Sequence, residues 1–189
     1  MVGLNGDTLM NALNTAILLM LPLIFSGSLH MLIVARGWFS ITAVPLQLTW
    51  FGRNKTWRGI LVMLVLTIPG VMLTQSLEPY LPFVAQASLN GHNAILLGLA
   101  LGLGYVLPEL PNSYLKRRLN IQPGERSGRH TVLFSFIDQA DSALGCALVY
   151  ALLLSPPLAV LAWTVALGPL VHVIINLLLF SVCLRKQPF

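Results

Sequence analysis

FIDQADSALGCALVYALLLSPP, residues 136–157, holds two carboxylates, Asp138 and Asp141, at one end of an uncharged run that stops at Pro156-Pro157. A helix needs about 20 residues to cross a bilayer. Counting that length back from Pro156 reaches the neighbourhood of Ser135, so both aspartates fall in the first turns of a membrane span, at its edge and not at mid-bilayer. Three residues apart on a helix, they share a face. An aspartate within a span costs about 2.5–3.5 kcal/mol at the bilayer centre and persists where it is paired, hydrated or metal-bound, which makes the pair a functional candidate. The plain alternative is a structural ion pair with a loop arginine. Two carboxylates on one face beside a cation-rich loop suit a divalent ion better.

The rest of the chain extends the same reading. Among 189 residues 56% are hydrophobic and 9% charged, too little charge for an ordinary soluble domain. The expectation is an all-α, polytopic membrane bundle of five transmembrane helices, near Leu9–Ala35, Gly59–Leu77, Asn93–Leu110, Thr131–Leu154 and Leu158–Leu184. It forms a single integral-membrane domain over residues 1–189. The N-terminal stretch lacks the positive region and cleavage site of a signal peptide, so the first run is expected to stay as a helix. The eleven Lys and Arg residues cluster in 36–58, 116–129 and 185–186. Retention of short basic loops inside then predicts cytoplasmic loops 36–58 and 111–130, a cytoplasmic C-terminus, an external N-terminus and a multi-pass location in the cytoplasmic membrane. The same placement argues against a nucleic-acid partner. LEPYLPFVAQASLNG, residues 77–91, reads as an external interfacial or re-entrant segment. Cys146 and Cys183 read as buried hydrophobes. No internal repeat suggests an inverted-repeat transporter.

Three further stretches carry chemistry. FGRNKTWRG, residues 51–59, lacks the glycine spacing of a phosphate loop, yet sets Lys55, Thr56 and Arg58 at the opening of the second span, where a helix N-terminus favours an anion. By itself the stretch reads as a basic interfacial anchor. In PELPNSYLKRRLNIQPGERSGRH, residues 108–130, Glu109 ends the third span and Asn112-Ser113 is expected to cap a short helix bearing Lys116, Arg117 and Arg118, before a turn at Gln122-Pro123-Gly124. His172 and Asn176 lie four apart in the fifth span, where packing and a functional role are equally good readings. Carboxylates for a metal and cations for polyphosphate thus gather on one membrane face, as nucleotidyl transfer to a lipid phosphate requires.

As an ordered set these stretches resemble the CDP-archaeol synthase family, integral-membrane relatives of phosphatidate cytidylyltransferases. FGRNKTWRG resembles its GxxKTWRG stretch, SYLKRRLNIQPG its serine, Lys-Arg-Arg and Pro-Gly element, FIDQADSALG its DQ-x-D-x-x-x-G element, and GPLVHVIINLLLF its terminal P-L-x-H-x-x-x-N helix. The resemblance implies a five-helix bundle that transfers CMP from CTP to a lipid phosphate with Mg²⁺ and releases diphosphate. It implies catalytic roles for Lys55, Arg58, Lys116, Asp138 and Asp141. Substrate contacts would come from Thr56, Ser113, Arg117, Arg118, His172 and Asn176, and metal ligation from Asp138, Asp141 and Glu109. Glu109 stands where the family usually has an aspartate, and Gln47 stands near another position commonly aspartate. The alternatives are a diverged non-catalytic lipid- or nucleotide-binding membrane protein and a small transporter. Lipid chain type, linkage and oligomeric state have no signature in these residues.

Overall fold

The structure, a computed structural model, describes residues 6–122 and 131–182. The expected turn at Pro123-Gly124, the cations Arg126, Arg129, Arg185 and Lys186, and Cys183 lie outside the described residues. The helices are α1 (Gly6–Ala35), α2 (Leu48–Phe51), α3 (Trp57–Leu77), α4 (Ala94–Val106), α5 (Glu109–Arg118), α6 (Thr131–Leu153) and α7 (Leu158–Ser181). Among the described residues no strand forms, and five helical stretches are long and apolar enough to cross a membrane: Gly6–Ala35, Trp57–Tyr80, Ala94–Arg118, Phe136–Leu153 and Leu158–Ser181. Most ends fall within about a turn of those expected, the usual latitude for helix boundaries.

The third span departs most. Its first part, α4, ends at Val106, and the chain continues past Leu107-Pro108 as α5, which begins at Glu109. Asn112 and Ser113 therefore do not cap this helix; they lie inside it and are buried. The reason is proline chemistry: Pro108 and Pro111 occupy the helix start, where backbone N–H groups have no intrahelical acceptor and a residue lacking one costs little.

Each spanning helix packs on its neighbours in sequence, and α7 closes against α1, so α1, α3, α4, α6 and α7 form a ring. Membrane helices associate through close van der Waals contact, which small residues permit. A Cβ on Gly70 would stand 2.7 Å from the Pro22 carbonyl oxygen across the α1/α3 seam, and one on Gly98 2.6 Å from Ile68 Cα across α3/α4. Gly145 faces Gly104 across α4/α6, and Gly168 faces Ala143 across α6/α7. The Thr67 hydroxyl, 2.6 Å from the Gly98 carbonyl, adds a hydrogen bond between α3 and α4.

The two ends of the ring differ. Toward the N-terminus of α1 the interior is packed solid by Ala12, Ala16, Leu18, Leu19, Val71, Leu97, Leu101, Tyr150 and Val160. Segment 78–93 folds over that end, its fully buried Leu89 joining the core while Gln75 donates to the Leu89 and His92 carbonyls and Glu78 accepts from the Leu89 N–H. At the other end α1 finishes, α3 starts, and α5 meets the start of α6. Every described Lys and Arg belongs to segments 36–58 and 109–118 at this end. Here the ring encloses a cavity of about 360 Å³ lined from all five spanning helices.

Candidate active site

The backbone around Lys55 is built by a fold-back. The Leu46 N–H donates to the Lys55 carbonyl at 2.9 Å and the Trp57 N–H to the Val44 carbonyl at 3.0 Å, pairing segment 44–46 with 55–57. Between them α2 ends at Gly52, whose φ of 80° and ψ of 179° belong to a region that glycine alone adopts at no steric cost. α2 packs on α5, with Trp50 and Tyr114 edge to face at 6.1 Å. Thr56 caps α3, its hydroxyl accepting from the Gly59 N–H at 3.3 Å. These contacts bring Lys55 and Thr56 onto the cavity wall.

Across from them α5 and α6 present the carboxylates. Asn112 Nδ2 donates to Asp138 Oδ1 at 2.7 Å and to Asp141 Oδ2 at 3.0 Å, so the two aspartates do share a face and a partner. Lys116 Nζ pairs with Asp138 and lies 5.5 Å from the Phe134 ring centroid. The Ser142 N–H donates to Asp141 Oδ1 at 2.7 Å, and the Ser142 hydroxyl donates to Glu109 Oε1 at 3.1 Å. Glu109 Oε2 forms an ion pair with Lys55. A continuous polar chain thus runs Lys116, Asp138, Asn112, Asp141, Ser142, Glu109, Lys55, alternating groups that donate with groups that accept. It stitches α5 and α6 to the segment before α3 at the cavity mouth.

The expected residues divide accordingly. Lys55, Thr56, Glu109, His172 and Asn176 line the cavity, with Asn176 Nδ2 3.4 Å from His172 Nδ1. Asp138, Asp141 and Lys116 stand in the polar chain, Asp141 buried and Asp138 half-exposed. Ser113 is buried and Arg117 half-buried on α5. Glu109 reaches the aspartates through Ser142, whose hydroxyl also lies 3.3 Å from Asp141 Oδ1, and its other oxygen pairs with Lys55; among the described residues no three acidic, His or Cys side chains converge. Arg58 is outside the cavity lining; its Nη1 donates to the Trp38 carbonyl at 3.3 Å and ties the start of α3 to the chain leaving α1. Arg118 is exposed, with Nε 2.8 Å from the Tyr114 hydroxyl and its guanidinium 5.0 Å over that ring. Gln47 is exposed at the start of α2 and also lies outside the lining.

Sequence reasoning missed Asn112 as a bridge, Ser142 as a link, and His30 and Tyr105 as cavity-wall residues. Ser142 had a signal in its position beside Asp141. His30 had one as a lone imidazole at the end of an apolar run, a placement that marks a group facing the bundle interior.

Comparison with known proteins bears on what such a site does. The family model for CarS-like proteins, described as CDP-archaeol synthase, matches residues 9–189. A CDP-archaeol synthase of Methanococcoides burtonii is 30% identical over 151 residues, 73% of this chain and 81% of its own. One of Thermofilum pendens is 31% identical over 176 residues, 89% of this chain and 73% of its own, and one of Staphylothermus marinus is 33% identical over 134 residues. No solved structure matches. A five-helix ring with an ion-paired, carboxylate-bearing mouth, matched over nearly its whole length, therefore belongs to the CDP-archaeol synthase family.

Proposed function

We propose that this protein is a Mg²⁺-dependent CTP:lipid-phosphate cytidylyltransferase of the cytoplasmic membrane, with its basic end toward the cytoplasm. One observation carries the reading: a chain of cations and carboxylates reaches, through Ser142, Glu109 and Lys55, the wall of a cavity inside the membrane-spanning ring. A soluble polyanionic nucleotide and a membrane-bound phosphate have to meet at such a boundary. The solid core at the opposite end, with Leu89 and Tyr150 fully buried, disfavours a transport path through the ring.

In the reaction a lipid phosphate oxygen bonds to the α-phosphorus of CTP while the bond from that phosphorus to the bridging oxygen of the β-phosphate breaks, and diphosphate leaves. The attacking oxygen is already anionic, so the work is positioning and neutralisation of charge. Lys55, on the cavity wall, is the cation for the lipid phosphate, and Glu109 holds its ammonium at the mouth. Lys116 and Arg117 face the incoming triphosphate. Thr56 adds a hydroxyl at the start of α3 and Ser113 one within α5, and His172 with Asn176 gives the wall a polar patch for the lipid's linkage region.

The donors fit Mg²⁺, a hard cation that takes oxygen ligands. Asp138 and Asp141 offer carboxylate oxygens from one helix face, with a side-chain amide between them. Bound there, Mg²⁺ would neutralise charge on the triphosphate and on departing diphosphate.

The cavity also limits how the lipid sits. At roughly 30 Å³ per water-sized group, about a dozen such groups fit. That suits a phosphate and its adjoining polar backbone, and leaves long chains in the bilayer. The test is purified protein in detergent with CTP, Mg²⁺ and a panel of ether- and ester-linked lipid phosphates, read by diphosphate release and by mass spectrometry of the CDP-lipid. Absence of turnover on every lipid, while a curated family relative turns over alongside, overturns the proposal.

A further inference from the structure

Asn112 is more than nine-tenths buried, and its two amide atoms are treated unequally by the fold. Nδ2 is doubly used, 2.7 Å from Asp138 and 3.0 Å from Asp141. Oδ1, on the same amide, is buried with no hydrogen-bond partner among the described residues. A buried acceptor without a donor is costly, and natural folds keep one where something else satisfies it. What satisfies a carbonyl oxygen is either a hydrogen-bond donor or a cation. The groups its amide nitrogen holds are two carboxylates, which donate nothing when ionised. A cation shared with those carboxylates would satisfy it.

Glu109 points the other way in this comparison. It already has an ammonium on one oxygen and the Ser142 hydroxyl on the other, so its charge and its lone pairs are met within the protein. The lysine partner would have to be displaced before this carboxylate could ligate a metal. Asp138 likewise carries an ammonium, that of Lys116, but the Asn112 amide ties it to Asp141, and neither Asp141 nor the Asn112 carbonyl oxygen has a cation among the described residues, so the set that would take one is Asp138, Asp141 and Asn112. All are of the hard type suited to Mg²⁺, and one amide N–H₂ orients both carboxylates in the manner of an outer-shell support.

We propose that Asn112 is the third protein ligand of the divalent cation through Oδ1, and that Glu109 is not a ligand but the positioning partner of Lys55. This rests on the metal-dependent reading above and assigns the metal's ligands within it. The consequence is a site of net charge −2 from the protein. A neighbouring ammonium, Lys116, is already in contact with Asp138 and so becomes available to a phosphate oxygen whenever the metal takes over that carboxylate.

Mn²⁺, an EPR-visible substitute, is titrated into the purified full-length protein in detergent without CTP or lipid, so the outcome is independent of whether any lipid turns over. Wild type is expected to bind. Asn112→Leu should weaken binding at least tenfold, Asn112→Asp should match or exceed wild type because it keeps an oxygen and adds charge, and Glu109→Gln should stay within threefold. Asn112→Leu binding as wild type does, Glu109→Gln losing as much as Asn112→Leu, or wild type failing to bind would each overturn the assignment. Should Asn112→Leu not yield a monodisperse protein, Asn112→Asp decides: a folded variant that binds more weakly than wild type refutes ligation by this residue.

Discussion

Two glycine-to-alanine substitutions, chemically identical, should have opposite consequences in this ring. At Gly145 on α6 a Cβ would lie 2.0 Å from the Gly104 carbonyl oxygen and 2.4 Å from Pro108 Cγ. Even weak carbon–oxygen contacts are about 3.3–3.6 Å apart, so the methyl requires more than an ångström of separation between α4 and α6. Neither neighbour is the end of a flexible side chain, so the seam itself has to open. Overpacking of a tight interface costs about 1–3 kcal/mol, and at about 2–4 °C per kcal/mol for a chain of this size that is a fall in Tm of roughly 5 °C. Function should fall further than stability does. Pro108 leads directly into α5, which carries Asn112 and Lys116, and opening the seam moves those groups away from Asp138 and Asp141 on α6. At Gly27 on α1, by contrast, nothing lies within 4 Å of the added Cβ. Alanine there should leave Tm unchanged or raise it, since glycine inside a helix is disfavoured by about 1 kcal/mol. The assay is paired thermal unfolding of the two variants in detergent, with diphosphate release measured on each. A Gly145→Ala protein melting within 1 °C of wild type, or a Gly27→Ala protein less stable than Gly145→Ala, would refute the packing argument.

Other expectations follow from the polar chain. Asp138→Asn and Asp141→Asn should each reduce turnover below about 1% of wild type while the protein still purifies as a folded species; wild-type rates in both would mean the carboxylates are only structural. Lys55→Met should destabilise the protein by stranding a half-buried Glu109 carboxylate, and adding Glu109→Gln should recover part of the loss. The coupling read from thermal unfolding of the four proteins should be about 0.5–3 kcal/mol, and strict additivity would show the pair to be energetically idle. Arg118→Ala, on the exposed side of α5 where the guanidinium rests on Tyr114, should change kcat/KM less than twofold, and a larger loss would return Arg118 to the substrate site.

What could be read from the sequence was set by local rules. The spans follow from apolar runs between breakers such as Pro156-Pro157. The gathering of described cations at one end follows from their confinement to alternate loops, and the common partner of Asp138 and Asp141 from their three-residue spacing. What could not be read was tertiary. Glu109 and Lys55 are 54 positions apart, and nothing in either segment says that this acid will meet that lysine. Asn112 was misread because asparagine near a helix start is a good cap, and only the two prolines ahead of it, by moving the helix start back to Glu109, place it inside the helix. The resemblance implied roles for Arg58 and Arg118, but their contacts were not legible in it: one donates to the Trp38 carbonyl and the other stacks on Tyr114.

Closure of the ring by α7 against α1 has a consequence in time. Of the five spans α1 is made before the others and α7 after them, so α1 has to wait for α7, because every other seam joins neighbours in sequence. α7 is also the least enclosed of the spans, with 11% of its apolar window buried against 28–35% for the others. The four earlier spans can therefore assemble as an open arc during synthesis. His172 and Asn176 then arrive with α7, and the inward face of α1 bearing His30 is open on that side until they do. Enclosure of the cavity is in this sense a property of α7, so that the four spans before it leave the chamber without one of its walls.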